Sequence, residues 1–149
     1  MSKKYCYIVF DLFGTVTKYR YLQSIFYWFA SGKRSSANLI DKRFVPQIKR
    51  LSGKYQLCIL SNANHQFVYN SLKKSGLTRY FRVILISSDI GARKPSSEAF
   101  EALIWAGVEP AKSLFIDDRE SNRRKAKMLG YSVLEFSDKS DLLQKISDL

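Results

Sequence analysis

Residues 5–17 read YCYIVFDLFGTVT, and the reading of this stretch decides the fold. Tyr5 to Phe10 is an unbroken apolar and aromatic run, the pattern of a strand buried on both faces of a parallel sheet. Asp11 follows at once. A carboxylate at the carboxyl end of a buried strand stands where open α/β sheets place their ligands, and Gly14 lets the chain turn there with backbone amides near that carboxylate. A plain turn-capping aspartate explains the same letters equally well, so the remainder of the chain has to decide.

Further along, strand-like and helix-like patterns alternate. Strands are expected at Gln56–Leu60, Val83–Ile86, Ser113–Ile116 and Ser132–Leu134. Helices are expected at Asn38–Leu51, Asn64–Ser75 (stopped by Gly76), Ser96–Trp105, Ser121–Leu129 (stopped by Gly130) and Lys139–Ile146. Pro46 is an awkward guest in the first of these, and a kink or restart near Phe44 would accommodate it. Such alternation calls for an α/β fold, a three-layer Rossmann-like domain with a parallel sheet, helices on both faces and right-handed crossovers.

Three later stretches end predicted strands with groups suited to phosphoryl or acyl-like transfer: Leu57–Asn62 (LCILSN), Gly91–Pro95 (GARKP) and Leu114–Asn122 (LFIDDRESN). Together with residues 5–17, in this order and at these separations, they resemble the haloacid dehalogenase (HAD) superfamily of hydrolases. Asp11 and Thr15 look like the first motif, Ser61 the second, Lys94 the third, and Asp117 with Asp118 the fourth. The resemblance covers nearly the whole chain, residues 1–149 as one domain, and implies a five-stranded sheet of order 5-4-1-2-3. It also implies a cap inserted after the first motif. Fewer than forty residues separate that motif from the second strand, so the cap is expected to be minimal, around residues 17–36.

Within this resemblance Asp11 would be the nucleophile, because a carboxylate attacking phosphorus or an activated carbon splits one hard step into two easier ones. Ser61, Thr15 and Asn62 would contact the substrate, and Lys94 would both bind it and offset the crowded carboxylates. Adjacent Asp117 and Asp118 repel each other unless a cation or lysine intervenes, which suits a hard ion such as Mg²⁺. The resemblance implies as its ligands Asp11, the backbone carbonyl of Phe13 and Asp118, with Asp117 behind or sharing. Phe13 departs from the phosphatase pattern, where a second aspartate protonates the leaving group. An aromatic residue there resembles the 2-haloacid dehalogenases, whose halide leaves without a proton. The paired aspartates and the short cap point back to a magnesium-dependent phosphatase-like hydrolase, the first reading. A dehalogenase, or a catalytically weak relative that binds an anionic partner, stays open beside it.

Composition bounds the partners. Apolar residues form 46% of the 149, with 7 Gly and 3 Pro, so the chain is neither disordered nor fibrous in composition. The net charge is +12, and residues 17–50 hold eight bases against one acid, a local +7. Such a field concentrates a small anionic substrate and would also hold nucleic acid loosely, although no nucleic-acid-binding motif is present. The aromatic run Ile25–Ala30 falls short of the about 20 apolar residues of a membrane span, and is read as core, lid or homodimer face. No leader pattern is visible after Ser2, Lys3 and Lys4, and Cys6 and Cys58 are expected inside buried strands, so a cytoplasmic location is expected.

Overall fold

The computed structural model describes residues 4–19 and 39–149. Most of the expected cap, and with it the Ile25–Ala30 face, lies outside the described residues. Five strands form one parallel sheet: β1 (Tyr7–Phe10), β2 (Gln56–Ser61), β3 (Phe81–Ile86), β4 (Ser113–Ile116) and β5 (Ser132–Val133), in the order β3-β2-β1-β4-β5. Read from the other edge, that is the expected 5-4-1-2-3.

Alternation along the buried strands sends side chains to two separate cores. Ile8, Phe10, Leu57, Ile59, Leu114 and Ile116 point to one face. There they meet Phe44, Ile48 and Leu51 of α1 (Phe44–Ser52), Val68 and Leu72 of α2 (His65–Ser75), and Leu142 and Ile146 of the last helix (Lys139–Ser147). On the opposite face Val9, Cys58, Leu60 and Phe115 pack on Phe100 and Leu103 of Ser97–Trp105 and on Ala126 of Glu120–Met128. A sheet covered on both sides explains why its strands read as continuous apolar runs. In chain order the four-residue helix Ser87–Ile90 is α3, Ser97–Trp105 α4, Glu120–Met128 α5 and Lys139–Ser147 α6.

Two expectations are corrected. The first strand begins at Tyr7, and Cys6 is exposed while Cys58 is buried. Cys6 extends the ladder through its backbone, to Lys112 and Gln56, at the sheet's amino end. The helix expected from Asn38 starts instead at Phe44, because Leu39 to Asp41 is drawn into an antiparallel bridge with Val16 to Lys18 centred on Thr17 and Ile40. That pairing closes the base of the insertion. Pro46 thereby falls in the first turn of α1, where its missing N–H leaves no helical bond unmade. The short α3 is not legible in the sequence. Among the described residues no helix is long and apolar enough to cross a membrane.

Candidate active site

Register brings the expected residues together. Phe10 lies opposite Ile116 and Ile59, so Asp11 and Asp117 both step off the carboxyl edge side by side, with Ser61 ending the neighbouring β2. The Asp11 amide donates to the carbonyl of Ile116 at 2.8 Å, which carries the pairing one residue past β1. The chain then turns through Leu12–Val16, and at Gly14 φ is +94°, a conformation that excludes most side chains. Within this turn Thr15 Oγ1 donates to Asp11 Oδ2 at 3.3 Å.

Lys94 is the hub. Its side chain is 1% exposed, and Nζ donates to Asp11 Oδ1 at 2.7 Å and to Asp117 Oδ2 at 2.6 Å. The loop that carries it leaves α3 through Gly91, in the left-handed region, and is clasped by Asn62. The Lys94 amide donates to Asn62 Oδ1 at 2.8 Å, while Asn62 Nδ2 donates to the Lys94 carbonyl at 2.9 Å. Asn62, expected at the substrate, has its carboxamide engaged with the Lys94 backbone. Spacing alone held no signal for that clasp, because the partners lie 32 residues apart.

Asp117 is fully buried and densely bonded. Beyond Lys94 it accepts from Asn122 Nδ2 at 2.9 Å and from the Arg119 amide at 2.9 Å. Asn122, on α5, is a supporting residue that sequence reasoning passed over although it lay within the quoted motif. Asp118 is half-buried beside it. Carboxylate oxygens of Asp11, Asp117 and Asp118 lie within 4.8 Å of one another. Burial raises Asp11 from the ordinary 3.8; the Lys94 charge opposes this and the charges of Asp117 and Asp118 add to it, so the group stands at about 7. For Lys94 burial lowers the pKa, but the two carboxylates outweigh it and the ammonium is held above its ordinary value. Lys94 thus bonds two of three clustered carboxylates.

This donor set fits a hard divalent cation: the oxygens are close, the local charge is negative, and a second positive charge would return Asp11 to its ionised form. Asp11 and Asp118 suit the role of direct ligands. Asp117, with both oxygens taken by Lys94, Asn122 and Arg119, suits that of an orienting neighbour.

The remaining expected residues divide. Ser61 is 1% exposed and its hydroxyl has no hydrogen-bond partner among the described residues, an arrangement that favours a ligand supplying one. Phe13 is buried, with its ring 5.6 Å from that of Phe67 of α2.

Comparison with known proteins bears on the family and the fold. Residues 44–136 match a family model described as haloacid dehalogenase-like hydrolase. A D-ribitol-5-phosphate phosphatase of Bacteroides thetaiotaomicron is 30% identical over 118 residues, which cover 74% of this chain and 57% of that protein. The chloroplast flavin mononucleotide hydrolase 1 of Arabidopsis thaliana is 35% identical over 88 residues, 58% of this chain and 36% of that one. The matches thus span less than two thirds of either relative. In structure, the HAD-hydrolase YfnB of Bacillus subtilis, solved bound to magnesium, superposes with a TM-score of 0.72 at 17% identity, over 88% of this chain and 86% of that one. By the matched family model, which spans more than half its length, the chain belongs to the haloacid dehalogenase-like hydrolases.

Proposed function

We propose that the protein is a Mg²⁺-dependent, phosphatase-like hydrolase of small phosphorylated substrates, with Asp11 as nucleophile. The observation that carries this reading is the Lys94 ammonium held between Asp11 and Asp117 while Asp118 completes a three-carboxylate cluster. The names of the two relatives support a phosphate ester as substrate. Asp11, Asp118 and the backbone carbonyl of Phe13 would hold Mg²⁺, with Asp117 behind them. When bound, the ion supplies positive charge that offsets the carboxylates and the substrate phosphate.

This chain's own groups do the rest. Asp11 oxygen attacks phosphorus as the bond from phosphorus to the leaving oxygen breaks, giving an aspartyl phosphate, which water then opens to phosphate and free Asp11. Lys94 steadies the charge on the reacting oxygens, and the Ser61 hydroxyl donates to a phosphoryl oxygen. Thr15 holds the Asp11 carboxylate in place, and Asn62 positions Lys94. The insertion around residues 17–36 belongs to the same proposal as a minimal cap on a single domain, as do a homodimer through Ile25–Ala30 and a cytoplasmic location.

Phe13 gives the reading its sharpest test. With no carboxylic acid at that position, an alkyl phosphate lacks its proton donor, whereas an aryl or acyl phosphate departs as a stabilised anion. General acid help is worth about 10²–10⁴-fold. Turnover of phenyl or acetyl phosphate should therefore exceed that of sugar phosphates by about that factor, and require Mg²⁺. Phe13 equally favours the second reading, displacement of halide from a 2-haloacid. Turnover of 2-chloropropionate without metal, and none of phosphate esters, would replace the first reading with that one. Binding of anions with no turnover of either class would leave a binding protein.

A further inference from the structure

Beside the carboxylate cluster lies an open pocket of about 370 Å³ whose wall includes Gly14, Lys18, Asp118, Asp138 and Lys139. Gly14 and Asp118 border the candidate active site, so the pocket continues from it. Lys139 stands at the start of α6, and its Nζ is shielded from solvent without a hydrogen-bond partner among the described residues. The contrast with Lys94, whose ammonium is bonded by two carboxylates, is direct. Of the nearby acids, Asp118 on the same wall bears on Lys139 through its charge, and the other two are bonded elsewhere. Asp138 accepts from the amides of Ser140 and Asp141, which occupies the helix terminus, and Asp41 chelates Arg43 at 2.7 Å. The Phe44 ring, 6.0 Å from Nζ, offers only a weak cation–π contact. Burial lowers the Lys139 pKa, with the charge of Asp41 opposing, that of Arg43 adding and that of Asp118 opposing.

A buried ammonium without a partner is unfavourable until an anion arrives. Lys18, exposed on the same wall, brings a second positive charge from the turn that carries Asp11. We propose that Lys139 and Lys18 bind a second anionic group of the substrate, so that the preferred substrates carry a carboxylate or further phosphate a few bonds from the phosphate that reacts. This rests on the phosphatase reading for the position of the first phosphate. It assigns substrate selection to the core domain, through residues outside the four motifs.

Non-hydrolysable probes separate the two. Titration calorimetry of the Mg²⁺-loaded full chain should show 3-phosphonopropionate binding about tenfold more tightly than methylphosphonate, the order expected for one charge-assisted contact. Lys139→Met should erase that ratio and Lys139→Arg should keep most of it. Lys18→Met, on an exposed residue that folding does not require, should reduce it about threefold. Equal affinity of the two probes for the native protein overturns the proposal, as does an undiminished ratio in Lys18→Met, or in a folded Lys139→Met. Hydrolysis of phenyl phosphate, measured alongside, reads the phosphatase proposal by itself. A tenfold ratio without turnover keeps the anion site and rejects the phosphatase, whereas turnover with no ratio does the reverse.

Discussion

At the scale of the residue, Asp11 carries a conflict that only a counter-charge resolves. It is buried, it shares Lys94 with Asp117, and it stands near 7 in place of 3.8. Between those two values the folded chain holds a proton that the unfolded chain has released, so this group's contribution to stability is fully present below about pH 4. It declines as the pH rises toward 7. Other acids are held low by their partners and slope the opposite way, Asp41 against Arg43 among them. The difference between native protein and Asp11→Asn isolates the effect. In EDTA, urea denaturation should show the native protein losing ground to the variant steadily from pH 4 to pH 7, while Asp11→Asn hydrolyses nothing. A difference that stays constant across the window would show that Asp11 does not hold the extra proton.

At the scale of the element, the carboxyl edge of the sheet works because loops from different strands lock together. Asn62, just past β2, grips both backbone polar groups of Lys94, just past α3, and Asn122 on α5 braces Asp117 just past β4. The first pair of bonds joins two loops 32 residues apart, and the second ties Asp117 to the helix that follows it. Asn62→Ala leaves the Lys94 amide and carbonyl without those partners, at a cost of about 1–3 kcal/mol. A small displacement of Nζ then lowers turnover by about 10²-fold. Denaturation midpoints and kcat measured together check this, and a variant with full kcat would mean that the clasp is dispensable for placing Lys94. Phe13 shows the reverse arrangement, a residue at the site turned to packing: its ring lies against Phe67 and anchors the turn after β1 to α2.

For the whole molecule, the charge distribution is two-sided. The chain carries +12 overall, yet at the carboxyl edge three carboxylates converge on one bonded ammonium. A net positive chain draws in anions, while the acidic focus is reserved for a cation. Mg²⁺ bound only by the folded state stabilises it by about 1.4 kcal/mol for each tenfold rise in concentration beyond saturation. For a chain of this size that is about 4–5 °C in Tm per tenfold. Thermal melts in 0.1, 1 and 10 mM MgCl₂ should rise accordingly, and Asp118→Asn should flatten the series. A native Tm indifferent to Mg²⁺ would remove the metal from the proposal.

What the sequence determined by itself was local. Apolar runs marked the central strands β1, β2 and β4 to within two residues at either end, since a strand buried on both faces is apolar at nearly every position, whereas the half-buried β5 was read from its place in the alternation. Asn64, Ser96 and Gly76 marked helix ends through their own chemistry: two side-chain caps and one left-handed residue. Asp11, Lys94, Asp117 and Asp118 stood out because charged groups directly after such strands are conspicuous, and the resemblance supplied the strand order. Tertiary structure decided what depends on partners far along the chain. Leu39–Asp41 left the helix pattern because Val16–Lys18 offered backbone bonds, and Cys6 was exposed because the sheet's amino end lay there. Asn62 turned to backbone, Asp117 took the distant Lys94 as a donor, and Lys139 Nζ was left shielded without a partner among the described residues. A side chain's periodicity is carried by its neighbours in sequence, whereas its hydrogen-bond partners are chosen by register and crossover, which bring together residues tens of positions apart.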